Sequence, residues 1–248
     1  MGLLAAFQTH HRILAGFTTP VLAPAPKWDY DPRTISANNQ SWPNTGTEPG
    51  HGLTATGLAV VEAQGGPKGQ PCVRFPDGGF YDGSVALGIV GTAPRTHLVL
   101  FQSVGTTYIE LMGWGQTGYG HLYDSMIFSN QMIQHYWGFQ SLSAADVLRL
   151  NDWNVWLVRA AAPSAGTQSM TMDLWLNSTH FSASPQLDTA ASPLRIGSGH
   201  YNNRAGERKI ARVLIWDRAL TDDELRQVRS WIATLYGLDC GPTPVQAG

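Results

Sequence analysis

IARVLIWDRALTDDELRQVRSWIATLYGL, residues 210–238, holds a strand, a turn and a helix in one run. Ile210, Arg212, Leu214 and Trp216 alternate with Ala211, Val213 and Ile215, the period of two expected of a strand packed on one or both faces. Asp217 to Leu220 turns the chain. Thr221 and Glu224 have the spacing of a capping box, and Leu220 and Leu225 that of a hydrophobic staple. Asp222 and Asp223 suit the positive end of a helix dipole. Leu225, Val228, Trp231, Ile232 and Leu235 form one apolar stripe, and Gly237 supplies a left-handed C-terminal cap. The reading is a single amphipathic helix laid on a sheet.

Working outward, 97–101, 108–112, 122–128, 153–159 and 170–176 are short, β-rich segments bounded by Gly, Asn, Ser or Pro. Ser143 to Leu150 reads as a short helix or turn. The chain has 248 residues, 27 Gly and 15 Pro, with 14% charged and 43% hydrophobic residues. That balance describes many turns joining short strands around one core rather than a disordered chain. A net charge of −2 with scattered Lys and Arg gives no basic face for nucleic acid. No apolar run is long enough to span a membrane. Cys72 and Cys240 are the only cysteines, and the sequence leaves both one bridge and two thiols open.

Residues 1–27 mix Leu4, Phe7, Ile13 and Phe17 with Pro20, Pro24 and Pro26, and read as an extended arm. His10, His11 and Arg12 interrupt the segment, so it is not read as a secretory leader. Residues 239–248 read as a tail.

The pattern from Ile210 to Leu238 resembles the closing segment of the concanavalin A-like lectin/glucanase superfamily, in its laminin-G-like branch. Ser192 to Gly197, Met172 to Asn177, and Pro71 to Phe75 followed by Asp77-Gly78-Gly79 resemble upstream strands of that family. The resemblance implies an all-β fold for residues 28–238: a two-sheet jelly-roll sandwich with one C-terminal amphipathic helix. The domain it resembles is one found in bacteriophage virion proteins.

Glucanases of this superfamily hold two carboxylates on one strand, because retaining hydrolysis needs a nucleophile and an acid close together. No such pair occurs here. Glu110, Asp124, Asp29 and Asp31 are each expected to be solvated or turn residues, so no enzyme is expected. Gly113 to Gly118 matches Gly-x-Gly-x-x-Gly, but no helix follows to receive a pyrophosphate, and the run reads as a hairpin turn. The eight His residues show no zinc spacing. Asp82, Asp124, Asp188, Asn202 and Asn203 form no calcium-loop motif, and neither metal nor cofactor is expected. Ser198 and Asn177 read as turn residues.

What remains is loop chemistry suited to sugars, in which an aromatic ring stacks on a pyranose and amides or Arg read its hydroxyls. The candidate residues are Trp114, Tyr119 and His121; Tyr136 and Trp137; and His200, Tyr201, Asn202, Asn203 and Arg204. Trp153, Trp156, Trp175, Trp216 and Trp231 lie in strand or helix patterns and are expected in the core. The function expected is a non-enzymatic structural or adhesive accessory protein on a bacteriophage virion surface. Its arm and tail would dock on other virion proteins, its jelly roll would face surface glycans, and a symmetric homo-oligomer would suit such a spike. The alternative is a secreted carbohydrate-binding module.

Overall fold

The computed structural model describes residues 21–76, 78–104, 108–116, 121–128, 131–137, 140–144, 148–163, 169–198 and 206–241, with backbone alone at 128, 131, 133, 135–137 and 140–144. In chain order the strands are β1 (Trp28–Tyr30), β2 (Ser41–Trp42), β3 (Leu53–Thr56), β4 (Val60–Glu62), β5 (Cys72–Phe75), β6 (Phe80–Ala86), β7 (Arg95–Val104) and β8 (Ile109–Gly115). They continue as β9 (Leu122–Phe128), β10 (Gln131–Trp137), β11 (Gln140–Ala144), β12 (Trp153–Ala160), β13 (Met172–Leu176), β14 (Thr179–Ala183), β15 (Pro193–Ile196) and β16 (Glu207–Trp216). Among the described residues one α-helix, α1 (Asp222–Tyr236), follows the last strand.

The strands form two antiparallel sheets. Sheet I runs β14-β13-β12-β7-β16-β5-β4, with β1 also on β16, and sheet II runs β11-β10-β9-β8-β15-β6-β3-β2. Their facing sides enclose the main core, which includes Trp28, Trp42, Trp114, Trp156, Phe75, Phe101 and Val213. A second apolar layer lies between the outer face of sheet I and α1, holding Leu98, Leu100, Leu214, Trp216, Leu225, Val228 and Ile232. The five tryptophans expected in the core are all buried. The expected jelly-roll sandwich with one helix is the fold observed.

The helix forms as its sequence reads. Thr221 Oγ1 accepts from Glu224 N–H, Glu224 Oε2 accepts from Thr221 N–H at 2.9 Å, and Gly237 caps the far end at φ 67°. Leu220 and Leu225 are both buried in the second layer.

The strand before it departs from strict alternation. A bulge between Ile210 and Arg212 leaves Ala211 as an extra residue opposite β7, so Ala211 and Arg212 both face α1. Ile210 therefore points into the inter-sheet core with Val213 and Ile215, not outward with Leu214 and Trp216. Ser143 and Ala144 belong to β11, not to a short helix, because pairing with Ile133 and Met132 of β10 overrides the local pattern.

The expectation of a solvated or turn residue is overturned for Asp29, which lies inside β1, while Asp31 is a turn residue as expected, accepting from Arg33 N–H at 2.9 Å, but is not solvated. Both are buried, and they meet Arg212: its Nε lies 2.7 Å from Asp29 Oδ1, its Nη2 donates to Asp29 Oδ2 at 2.8 Å, and its Nη1 pairs with Asp31. The Arg212 guanidinium also lies 5.6 Å from the Trp231 ring. Burial holds the Asp29 carboxyl above the usual carboxylate range despite Arg212. At Asp31 burial pushes upward, but Arg33 and Arg212 together outweigh it and the carboxyl lies below that range. The segment before β1 joins the same edge: Lys27 N–H donates to Ile215 O, Trp216 Nε1–H to Pro24 O, and Leu22 packs on the second layer.

Cys72 and Cys240 are buried free thiols. Burial pushes each up to about 12, with the Glu62 charge adding to it at Cys72. Among the described residues no helix is long and apolar enough to cross a membrane.

One polar chain crosses the main core. Ser125 Oγ donates to Gln134 Oε1 at 2.6 Å and so accepts from His97 Nε2–H at 2.9 Å, while Trp156 Nε1–H also donates to Gln134 Oε1. Burial, then the nearby Arg95 charge, pushes His97 down to about 3. The unfolded chain protonates this residue below about pH 6.5, whereas the folded protein does not until about 3. Its contribution to stability is therefore complete above pH 6.5 and falls by about 1.4 kcal/mol per pH unit beneath it. In urea titrations between pH 7.5 and 5, His97→Gln should lose about that much of the wild-type slope; parallel curves would refute the assignment.

Candidate functional site

One register position crosses the whole of sheet II, whose outer face is accessible at one side and closed at the other. Ser41, Thr54, Asp82, Arg195, Gly113, Asp124, His135 and Ser141 pair in succession, one from each of the eight strands. Every member is polar or glycine. Their chain neighbours Trp42, Leu53, Tyr81, Leu194, Ile196, Met112, Trp114 and Tyr123 lie in the inter-sheet core, so Ser41, Thr54, Asp82, Arg195 and Asp124 point outward by simple alternation.

The row grades from open to closed. Ser41 and Thr54 are exposed, Asp82 and Arg195 are part-exposed, and Asp124 is 0% exposed. Arg195 Nη2 donates to Asp82 Oδ2 at 2.9 Å, and its guanidinium lies 4.4 Å from the Phe80 ring. Phe80 is itself only part-buried. An aromatic ring, a guanidinium and a carboxylate thus meet on an accessible part of one sheet, with groups able to pack on the apolar face of a sugar and to exchange hydrogen bonds with its hydroxyls.

Beyond Arg195 the glycine in the row makes room for a carboxylate. A Cβ on Gly113 would come 2.6 Å from Asp124 Oδ1 and 2.9 Å from its Cγ, so the acid lies over the bare backbone between β15 and β9. Glu110 points outward two positions along, 1% exposed, and accepts from Ser198 Oγ at 3.3 Å. The expectation that Glu110 and Asp124 are solvated or turn residues fails for both: each sits inside a strand, on a face that is closed at that point. Ser198, read as a turn residue, is buried against Glu110 just beyond β15.

The residues chosen from sequence distribute unevenly. Trp114 is 1% exposed between the sheets, its ring 4.5 Å from Tyr123, and offers no face to a ligand. The run from Gly113 to Gly115, expected in a hairpin turn, lies inside β8, and 117–118 lie outside the described residues. His121 is half exposed; its Nδ1 lies 2.9 Å from Asp188 O and 3.6 Å from Asp188 Oδ2. Tyr136 and Trp137 end β10, which runs antiparallel to β9, so their backbone lies beside the Leu122 end of β9. Tyr119, His200, Tyr201, Asn202, Asn203 and Arg204 lie outside the described residues. The strands show how the described ends divide: Gln116, His121 and the backbone of 136–137 share one end of sheet II, while Ser198 lies at the opposite, Glu110 end. Among the described residues no three His, Cys, Asp or Glu gather as metal ligands.

Phe80 and Arg195 were not chosen from sequence. Their signal is alternation: Arg195 between the buried Leu194 and Ile196, and Asp82 following buried Tyr81, each marks a charged outward position.

No protein-family model matches the chain, and no curated protein matches it. Among solved structures it is similar to the receptor-binding domain of botulinum neurotoxin type G, with TM-score 0.57 and 9% identity over 85% of this chain and 51% of that one. It is also similar to the binding domain of Paraclostridial mosquitocidal protein 1, with TM-score 0.62 and 8% identity over 85% and 52%. A third likeness is to Trypanosoma rangeli sialidase in complex with sialic acid, with TM-score 0.59 and 14% identity over 88% and 34%. The chain spans about half the length of the two binding domains and about a third of the sialidase. What is shared is the lectin-like β-sandwich.

The Gly113–Asp124 fit gives a direct test. Gly113→Ala should destabilise the fold by about 1–3 kcal/mol in urea melts through overpacking. In an Asp124→Ala background the same change should cost markedly less; equal costs in both backgrounds would show that the two positions do not touch.

Proposed function

We propose that this chain is a non-enzymatic, lectin-like binding module whose sheet II face recognises a surface glycan or a glycosylated receptor. The observation that carries the reading is the polar row across all eight strands of that sheet, with Phe80, Asp82 and Arg195 at its accessible part. The neighbouring structures add support, since two are receptor-binding or binding domains by name and the third holds sialic acid.

One observation favours a second reading, hydrolysis of a glycosidic bond. Glu110 opposes Met126 while Asp124 lies two residues along the same strand, and diagonal neighbours of this kind sit about 7–8 Å apart. Such a pair spans two strands and has no signature in sequence spacing. Against it, both carboxylates are 0–1% exposed, and a general acid and its partner must reach the sugar.

A glycan array followed by calorimetry on the best hit tests the binding reading. Arg195→Ala should weaken that binding by about 10- to 100-fold, the value of about 1.5–3 kcal/mol for hydrogen bonds to a charged group, with a small change in thermal stability. Undiminished binding would remove sheet II as the site. Turnover of a chromogenic glycoside that disappears in Glu110→Gln would establish the hydrolytic reading instead.

The setting we propose is the surface of a bacteriophage virion, as a capsid decoration or tail component. Its support is the resemblance at Ile210 to Leu238 together with the apolar residues of the N-terminal arm, Leu4, Phe7, Ile13 and Phe17. The alternative setting is a secreted binding module. Because residues 22–27 pack on β16, the arm that would dock on partners is confined to 1–20. Removing 1–20 should leave thermal stability and glycan binding unchanged while abolishing incorporation into the parent particle; incorporation at the wild-type level would count against a docking arm.

A further inference from the structure

The outer face of sheet I carries a second constellation, at the edge where α1 begins. Trp175 of β13 and His180 of β14 are direct cross-strand partners, with rings stacked at 4.7 Å and 16°. Arg229 of α1 lays its guanidinium 4.6 Å from the Trp175 ring, and Arg159 of β12 lies 5.5 Å from it. Between them opens a cleft of about 340 Å³, bordered also by Ser178 and Asp222. Volumes from about 300 Å³ upward are typical of small-ligand pockets.

The two arginines differ in what they hold. Arg159 is fully engaged, with Nε and Nη2 on Asp173 Oδ2 and Nη1 on Asp222 Oδ1 and Leu220 O. Asp173 is satisfied in turn, its Oδ1 accepting from Ser182 Oγ and lying 3.1 Å from His180 Nε2. Arg229 has no such counterpart. Its Nε and Nη2 are enclosed, and neither has a hydrogen-bond acceptor. An enclosed guanidinium donor without an acceptor is costly, and because Arg229 also lines the cleft, its uncompensated charge favours an anionic group there.

We propose that this cleft is a binding site for a hydroxylated monocarboxylate, an acidic sugar residue, whose carboxylate is taken by Arg229. Asp222 borders the cleft and shares Arg159 with Asp173, so the surroundings hold negative charge that favours a singly charged ligand over a doubly charged phosphate. Ser178, His180 and the outer oxygen of Asp222 are groups that exchange hydrogen bonds with hydroxyls, which separates a sugar acid from a bare carboxylate. The inference rests on the glycan-binding reading for its ligand class, but it uses a different sheet and different residues.

The test is calorimetry of the full chain with sodium glucuronate, glucose and sodium acetate. Glucuronate should bind saturably, and Arg229→Gln should weaken it about tenfold or more, while Arg195→Ala leaves it unchanged. Glucose and acetate should each bind at least about tenfold more weakly, the equivalent of about 1.4 kcal/mol. Arg229→Met removes the enclosed charge, so it should raise the melting temperature by about 2–4 °C while binding is lost, a pairing that a merely structural arginine would not give. No saturable glucuronate binding, or equal binding by Arg229→Gln, overturns the site; equal affinity for glucose overturns the role of the carboxylate; and equal affinity for acetate overturns the sugar assignment. A loss through Arg195→Ala instead would place the acidic sugar on sheet II. An array hit that depends on Arg195 while glucuronate fails would leave the sheet II reading standing without this one.

Discussion

A single guanidinium ties the ends of the domain together. Arg212 sits on β16, a central strand of sheet I, beneath Trp231 of the closing helix, and takes Asp29 and Asp31 from the first strand and the turn that follows it. Its hydrogen bond to Asp29 spans 183 positions of chain. Buried ions are expensive to bring together, and removing one partner strands the others at about 3–5 kcal/mol. The position of β1 beside β16, the seating of α1 and the entry path of residues 22–27 all meet at this one contact.

The geometry that makes the contact possible is the bulge at Ala211. Without the extra residue, a strand that keeps Arg212 under the helix would also turn Ile210 toward it. With it, Ile210 returns to the inter-sheet core, and the same edge of β16 accepts β5 at Arg208–Ile210 and β1 at Val213–Ile215. The sheets are then unequal. Sheet I is covered by α1 over much of its outer face, which leaves the Trp175 cleft at the border of that cover. Among the described residues sheet II carries no helix, and its polar row is open at Ser41 and Thr54, part-exposed at Asp82 and Arg195, and closed at Asp124.

Local chemistry was legible in the sequence wherever the deciding forces were local. The capping box, staple, apolar stripe and Gly237 cap of α1 act within a few residues, and the structure realises each of them. The turn at Asn177, at φ 53°, likewise declares itself. Charged residues inside strands were misread because nothing near Asp29 in the chain announces Arg212, and nothing near Asp124 announces that Gly113 will vacate the space beside it. Trp114 beside a glycine-rich run looks like a loop aromatic, yet β8 extends through it and its alternation turns it inward. The row on sheet II is a property of register, which exists only once eight strands have paired.

The two enclosed thiols give the folded protein an unusual chemical silence. With each held protonated up to about 12, neither Cys72 nor Cys240 presents a thiolate to an alkylating reagent at neutral pH. Cys72 lies in a strand of sheet I near its β4 edge, and Cys240 in the segment after the helix. Modification of one or the other therefore reports which region has opened. A cysteine introduced on the surface would be the single addressable handle for a dye or a tether, with the native pair serving as built-in clocks of local unfolding.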